Sequence, residues 1–183
     1  DEASHLLYED RSVEVYSLPL RHRVPSCGFL FREKAPLPHI RRDMIDYPEI
    51  PYYAINSIKQ GADWTTADGR VVPNRELVFP AERGRSYAYC SDTCYQPQLI
   101  PLLRGVDVLY HEATFGQDNL PRAIETLHST AAQAASLAKA AGVGRLVIGH
   151  YSSRYDDEQV LLNEAQQVFM NTTLAQEGMV INI

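Results

Sequence analysis

The chain has 183 residues and an apolar share of 45%, enough for one domain with a real core. Its net charge of −6 does not advertise nucleic-acid binding across the whole chain, and no run reaches the roughly 18 apolar residues that would span a membrane. Three cysteines, Cys27, Cys90 and Cys94, are too few and odd in number for a disulfide framework, and no second pair follows to make a zinc knuckle. The opening "DEASHLLYED" is acidic and does not read as a signal peptide, so the expectation is a reduced, cytoplasmic protein.

In chain order, "RSVEVYSLPL" alternates apolar and polar residues and "CGFLFRE" follows, predicting two strands joined by "RHRVPS". Residues 33–85 break the pattern. They carry six of the eleven prolines, Tyr47, Tyr52, Tyr53 and Trp64, and turn signals such as "ADGR". A stretch of that length inside a compact domain is an excursion with its own task or a mobile segment. Short helices are expected near 40–46 and 51–60, with Gly61 as a stop. Residues 32–85 hold nine basic and eight acidic residues, against eight and fifteen elsewhere, so a phosphate-bearing partner would have to be gripped here, although on charge alone the stretch reads as a solvated loop region of mixed charge.

Regular order returns with a strand at 86–90 and a turn at Ser91–Thr93. A helix near 96–104, a strand at 106–110 and a helical stretch near 120–126 follow. Thr130 and Gln133 form a capping-box pattern opening a helix over 131–141, with Gly142 beyond its end. A strand at 145–149, an amphipathic helix over 156–172 and a closing strand at 178–183 complete the chain. This order predicts an α/β layer fold with helices packed on a sheet.

The chemistry collects at strand ends. Asp92 lies just past strand 86–90, His111 and Glu112 end strand 106–110, and His150 ends strand 145–149. His22 leaves its strand in the same manner. Ligands of open α/β sheets bind outside the carboxyl ends of the strands. His128 immediately precedes the capped helix, whose free N–H groups and positive dipole end would attract an anion. Taken singly, these are rim histidines, a turn-forming aspartate and a buried glutamate. Taken together, they are donors that zinc accepts, and a shared carboxylate can bridge two ions.

Five segments, "RHRVPSCGF", "YCSDT", "YHEATF", "LHSTAAQAA" and "LVIGHYSSRY", stand in the order found in ribonuclease Z, and the chain resembles the C-terminal two thirds of that family along essentially its whole length. The resemblance implies a metallo-β-lactamase-like αββα sandwich, with residues 1–183 as its C-terminal part and an inserted protruding arm at 33–85 as a candidate tRNA-binding exosite. It implies a zinc-dependent endoribonuclease that removes the 3′ trailer of precursor tRNA, commonly as a homodimer. Residue by residue, His22 resembles the ligand of a first zinc, Asp92 the bridging aspartate and His150 a ligand of the second, with two ions per complete site and manganese as an alternative to zinc. His128 resembles the non-ligand histidine at the scissile phosphate, and Glu112 its tautomer-fixing partner. Ser152 and Arg154 resemble residues near the phosphate, where a guanidinium binds bidentately.

Two departures from the family follow. The motif H-x-H-x-D-H is absent from this sequence, and three protein ligands do not fill two zinc shells. The arm reads "YPEIPYYAINSIKQG", with Pro51-Tyr52 where the family has Gly-Pro. Arg41, Arg42 and Lys59 remain as candidate phosphate contacts, which position RNA rather than read its sequence. Two other functions fit the residues: another metallo-β-lactamase-fold phosphodiesterase or arylsulfatase-like hydrolase, and a non-catalytic RNA-binding fragment.

Overall fold

Alternating side chains build an antiparallel meander first. In the computed structural model, which describes residues 3–43 and 50–183, β1 (Leu6–Glu9), β2 (Val13–Leu20) and β3 (Ser26–Glu33) pair in sequence. The β2–β3 register runs from Val13 opposite Glu33 to Leu20 opposite Ser26. The sequence offered no sign of β1, and its burial shows why. All four of its residues are exposed, so no apolar alternation marks it.

Residues 34–84 form a unit of their own. It contains β4 (His39–Ile40), a 3-10 turn (Tyr52–Ala54) running into α1 (Ile55–Lys59), β5 (Trp64–Thr65), β6 (Val71–Val72), α2 (Asn74–Leu77) and β7 (Val78–Phe79). Ile50, Ala54, Ile58, Val72, Leu77 and Val78 make its small core, with Trp64 packed against them. The Asn74 side-chain amide donates to the carbonyls of Ile58 and Ala62, at 2.6 and 2.9 Å, and ties the start of α2 to α1 and the turn after it. The helix expected near 51–60 is therefore split between 3-10 and α turns, and Gly61 follows with φ +104°. Of the helix expected near 40–46, Ile40 instead ends β4, residues 42–43 are helical, and 44–46 lie outside the described residues.

The other unit joins residues 1–33 to 85–183. After the meander come β8 (Ser86–Cys90), β9 (Val108–Glu112), α3 (Leu120–Thr126), α4 (Ala131–Ala141), β10 (Arg145–Gly149), α5 (Gln159–Val168) and β11 (Thr172–Leu174). The seven strands order as β1-β2-β3-β8-β9-β10-β11. The last four run parallel to one another. β3 is antiparallel to both β2 and β8, so β2 also runs with the parallel set. The carboxyl ends of β2, β8, β9 and β10 therefore share one rim, which is where this class of sheet places its ligands.

One sheet face is covered by helices. Ala131, Ala134, Ala135, Leu137, Ala138 and Ala141 of α4 are buried against Leu109, Leu146 and Ile148 of the sheet, with Leu161 and Ala165 of α5 in the same cluster. The i, i+3, i+4, i+7 spacing gives α4 its buried stripe, and its alanines let the helix lie close to the strands. The Thr130–Gln133 capping box opens α4, and Gly142 at φ +63° closes it. The opposite face carries aromatic pairs, Phe31 with Tyr87 and Tyr89 with Tyr110.

Three expected elements differ. The helix near 96–104 is only a 3-10 turn, Pro97–Leu99, because Pro101 lacks the N–H that would continue it. The strand expected at 106–110 is shifted to Val108–Glu112, which puts His111 and Glu112 inside it. The closing strand at 178–183 is not formed. The last strand is Thr172–Leu174, so α5 stops at Val168 and not near 172, and Gly178 takes φ +75°, a turn conformation. Among the described residues no helix is long and apolar enough to cross a membrane.

Gly28 of β3 sits where an added Cβ would collide with the Tyr89 backbone oxygen of β8. Gly28→Ala is expected to lower stability by about 1–3 kcal/mol, as overpacking does, read as an earlier midpoint in urea unfolding.

Candidate metal centre and acid–base pair

The rim is assembled from residues just beyond strand ends. Asp92 follows β8 by two residues, Glu112 is the last residue of β9, His150 follows β10 directly, and His22 follows β2 by two. Among the described residues, the only non-glycine positions with positive φ are Asp92 (54°), Leu127 (58°) and His150 (60°). Such backbone is strained for side chains with a Cβ, and it persists where the surrounding structure over-determines it. All three border the same cluster.

Glu112 is fully buried. Its Oε1 accepts from the Thr93 amide at 2.6 Å and from His128 Nδ1 at 2.9 Å. Its Oε2 accepts from the Thr114 hydroxyl at 2.6 Å and from the Ser129 amide at 2.9 Å. Burial pushes the carboxyl pKa upward, but the bonds from His128, Ser129 and Thr114 outweigh it and hold the group below the usual glutamate range. The bond to Glu112 raises the pKa of His128 in turn, against a smaller opposing effect of burial.

The His128 ring lies between two others, with its centroid 4.8 Å from His22 and 5.3 Å from His150. His22 Nδ1 donates to the Leu127 carbonyl at 3.1 Å, which leaves its Nε2 for another partner. His150 Nδ1 faces the Thr114 hydroxyl at 2.9 Å, and its Nε2 stands 3.2 Å from Asp92 Oδ1. One donor atom each from His22, Asp92 and His128 falls within 4.8 Å of the others, as does one each from Glu112, His128 and His150. A metal-ligating histidine characteristically has its second nitrogen held by a carbonyl or other oxygen, and both His22 and His150 meet that condition. The donor set, two imidazoles and a carboxylate lying next to His150 and grouped with His22, fits a zinc-type cation.

Of the residues expected at the site, the structure brings His22, Asp92, Glu112, His128 and His150 together. His111 does not join them. It is fully buried, level with core residues Cys90 and Ile148. Ser152 is near, its amide donating to the Thr114 carbonyl at 3.1 Å, while Arg154 is exposed on the same loop. Arg41, Arg42 and Lys59 belong to the 34–84 unit, and Arg41 pairs there with Asp43 at 3.0 Å.

The free amides expected at the start of the 131–141 helix are not free. The Ala131 amide donates to the Phe115 carbonyl, Ala132 to Glu164 Oε1 and Gln133 to Thr130 Oγ1. The carboxylates of Glu112 and Glu164 already serve the Ser129 and Ala132 amides, so an incoming anion finds no open donors at this helix end.

Sequence reading missed Thr114 and Leu127. Thr114 had a signal: it lies two residues after Glu112 at a strand end, where alternation returns a side chain to the same side. Leu127 had none, because a leucine does not announce a left-handed conformation.

With this geometry in hand, comparison with known proteins places the chain. Residues 57–151 match the family model described as a beta-lactamase superfamily domain, and the chain belongs to that superfamily. Within it, the ribonuclease Z resemblance extends over nearly the whole chain. The chain is 54% identical over 180 residues to ribonuclease Z of Phocaeicola vulgatus, covering 98% of this chain and 58% of the relative. It is 55% identical to ribonuclease Z of Bacteroides thetaiotaomicron over 97% of this chain and 56% of that protein. The chain thus spans less than two thirds of the length of these relatives. Among solved structures, the crystal structure of human tRNase Z, short form, aligns with TM-score 0.56 and 26% identity over 100% of this chain and 48% of its own. The metallo-beta-lactamase fold protein YhfI of Bacillus subtilis, at 17% identity, aligns over 96% of this chain and 52% of its own with TM-score 0.61 and shares the fold.

The opposed shifts of Glu112 and His128 predict a pH signature. A carboxylate with a lowered pKa contributes stability above its ordinary value of 4.5, lost as pH falls through the folded value. A histidine with a raised pKa contributes fully below 6.5, and the contribution is lost as pH rises through the folded value. The stability gap between wild type and Glu112→Gln should therefore be largest between about pH 4.5 and 6.5, measured by urea unfolding across pH.

Proposed function

We propose that this chain carries the acid–base pair and part of the metal-ligand set of an endoribonuclease that removes the 3′ trailer of precursor tRNA by phosphodiester hydrolysis. The observation that carries the reading is the Glu112–His128 pair, bonded at 2.9 Å and set between His22 and His150 beside Asp92, in a chain similar to ribonuclease Z over nearly its whole length.

His22 and Asp92 would hold one cation and Asp92 and His150 a second, zinc or manganese, with Asp92 shared between them. When bound, the ions supply Lewis acidity to the phosphate and to the attacking water. The chain's own residues handle the proton. Glu112 accepts from His128 Nδ1, so His128 presents Nε2 to the rim and is held cationic to higher pH than a free imidazole. As water's oxygen bonds to phosphorus and releases its proton to solvent, the bond between phosphorus and the 3′ oxygen breaks and Nε2–H donates to the departing oxygen. Ser152 and Arg154, on the loop after His150, would hold phosphate oxygens.

The 34–84 unit supplies the tRNA contact, through Arg41, Arg42 and Lys59 for phosphates. Tyr52 and Tyr53, 90% and 81% exposed, stand on the same unit. This reading goes with a cytoplasmic enzyme acting as a homodimer.

Tested in a protein of the relatives' full length, His128→Ala should cut cleavage of a 3′-extended precursor tRNA by about 10²–10⁴-fold, the range for a general acid, with metal content by elemental analysis near the parent's. Loss of metal in that variant would make His128 a ligand instead. Asp92→Ala should lose bound metal, and a normal metal content would remove its bridging role. Turnover of small phosphodiesters with none on precursor tRNA would favour a different hydrolase of the same fold.

A further inference from the structure

The Thr114 hydroxyl meets three polar groups and has one proton to give. Its Oγ1 is 2.6 Å from Glu112 Oε2, 2.9 Å from His150 Nδ1 and 3.4 Å from His128 Nδ1. It is 6% exposed, so water does not compete freely for these bonds. Glu112 is held ionised by four donors, and an ionised carboxylate only accepts. The shortest of the three contacts is therefore the one that carries the hydroxyl proton, from Thr114 to Glu112. What remains on the oxygen is lone pairs, and those accept from the imidazole side. His128 Nδ1 already donates to Glu112 Oε1 at the shorter distance of 2.9 Å. The lone pair of Thr114 is left for His150.

We infer that Thr114 is a positioning residue that holds His150 with its proton on Nδ1, which turns the Nε2 lone pair toward Asp92. The inference rests on the metal-centre reading for its consequence, though not for its geometry. His150 Nε2 then lies 3.2 Å from Asp92 Oδ1. Two lone pairs at that distance repel unless a proton or a metal cation is shared between them, so with Nδ1 carrying the imidazole's own proton the pair is open to a cation. Reversing the Thr114 hydroxyl would protonate Nε2 and put a hydrogen where the cation binds. The same hydroxyl connects the acid–base pair to the candidate ligand. The chain of bonds runs from His128 through Glu112 and Thr114 to His150, and its polarity is set throughout by the buried carboxylate.

The test reads the ring nitrogens directly. In ¹H–¹⁵N spectra of the metal-free chain between pH 6 and 8, His150 Nδ1 should carry a slowly exchanging proton. Thr114→Val, which keeps the shape and removes the hydroxyl, should lose that signal or move the proton to Nε2. Zinc affinity in that variant, from chelator competition, should fall about 10–100-fold, as it does when an outer-shell partner is removed. Thr114→Ser should restore both. Wild-type His150 with Nδ1 unprotonated would overturn the inference, as would Thr114→Val with the parent tautomer and parent zinc affinity. If Thr114→Val does not fold, the wild-type spectrum and Thr114→Ser decide alone. None of these readouts involves RNA, so the inference can fail while tRNA cleavage stands, and the reverse.

Discussion

A carboxylate with no exposure organises this rim. Glu112 draws its four donors from three separate stretches: Thr93 after β8, Thr114 after β9, and His128 with Ser129 ahead of α4. An unpaired charge in that position would be strongly unfavourable. Each donor is therefore held in place by the cost of leaving the charge without it. Three chain segments, already joined by the β8–β9 pairing, the Phe115–Thr130 bridge and the Ser129 hydroxyl on the Thr93 carbonyl, are fixed at the rim through two oxygen atoms.

Much of the site's geometry follows from this knot. The Thr93 bond fixes the turn in which Asp92 sits at positive φ, and the Ser129 bond fixes the segment that begins at Leu127. Backbone strain of about 1–3 kcal/mol at each such position is sustainable because the knot and the packed sheet beneath leave no relaxed alternative. The strain has a use. The positive φ at Leu127 goes with a carbonyl aimed at His22 Nδ1, and the positive φ at Asp92 and His150 goes with side chains 3.2 Å apart. His128, tied to the knot by Nδ1, keeps Nε2 for chemistry. The helix that follows has its own amides satisfied by Phe115, Glu164 and Thr130, so its role is to anchor the loop and not to bind an anion.

The layer architecture was legible because two periodicities and one capping pattern declare it. The alternation in 13–20 and the apolar run at 145–149 gave their strands, and Thr130, Gln133 and Gly142 bounded α4 to the residue. Elements failed to show where burial or proline decided the outcome. Exposed Leu6–Glu9 carries no pattern, Pro101 stops the 96–104 helix, and the apolar residues at 178–183 follow a strand that had already ended at Leu174. At the site, strand-end position pointed to Asp92, Glu112 and His150 but equally to His111, which is buried within β9, so position alone did not separate them. Bond polarity could not, because it depends on which oxygen of Glu112 each donor reaches, a fact of three-dimensional packing. That is why the role of Thr114 in that polarity entered only with the structure, and the left-handed backbone at Leu127 likewise.

Amide hydrogen exchange at Thr93 and Ser129 tests the knot most directly. Both amides lie outside the named helices and strands, where exchange is ordinarily fast, yet both donate to Glu112 in the interior. Both are expected to be protected to a level approaching that of the β10 amides, and Glu112→Gln is expected to weaken the two together by more than it weakens β10. Fast exchange at either amide in the wild-type chain, or protection that survives loss of the charge, would contradict the claim that Glu112 holds the rim.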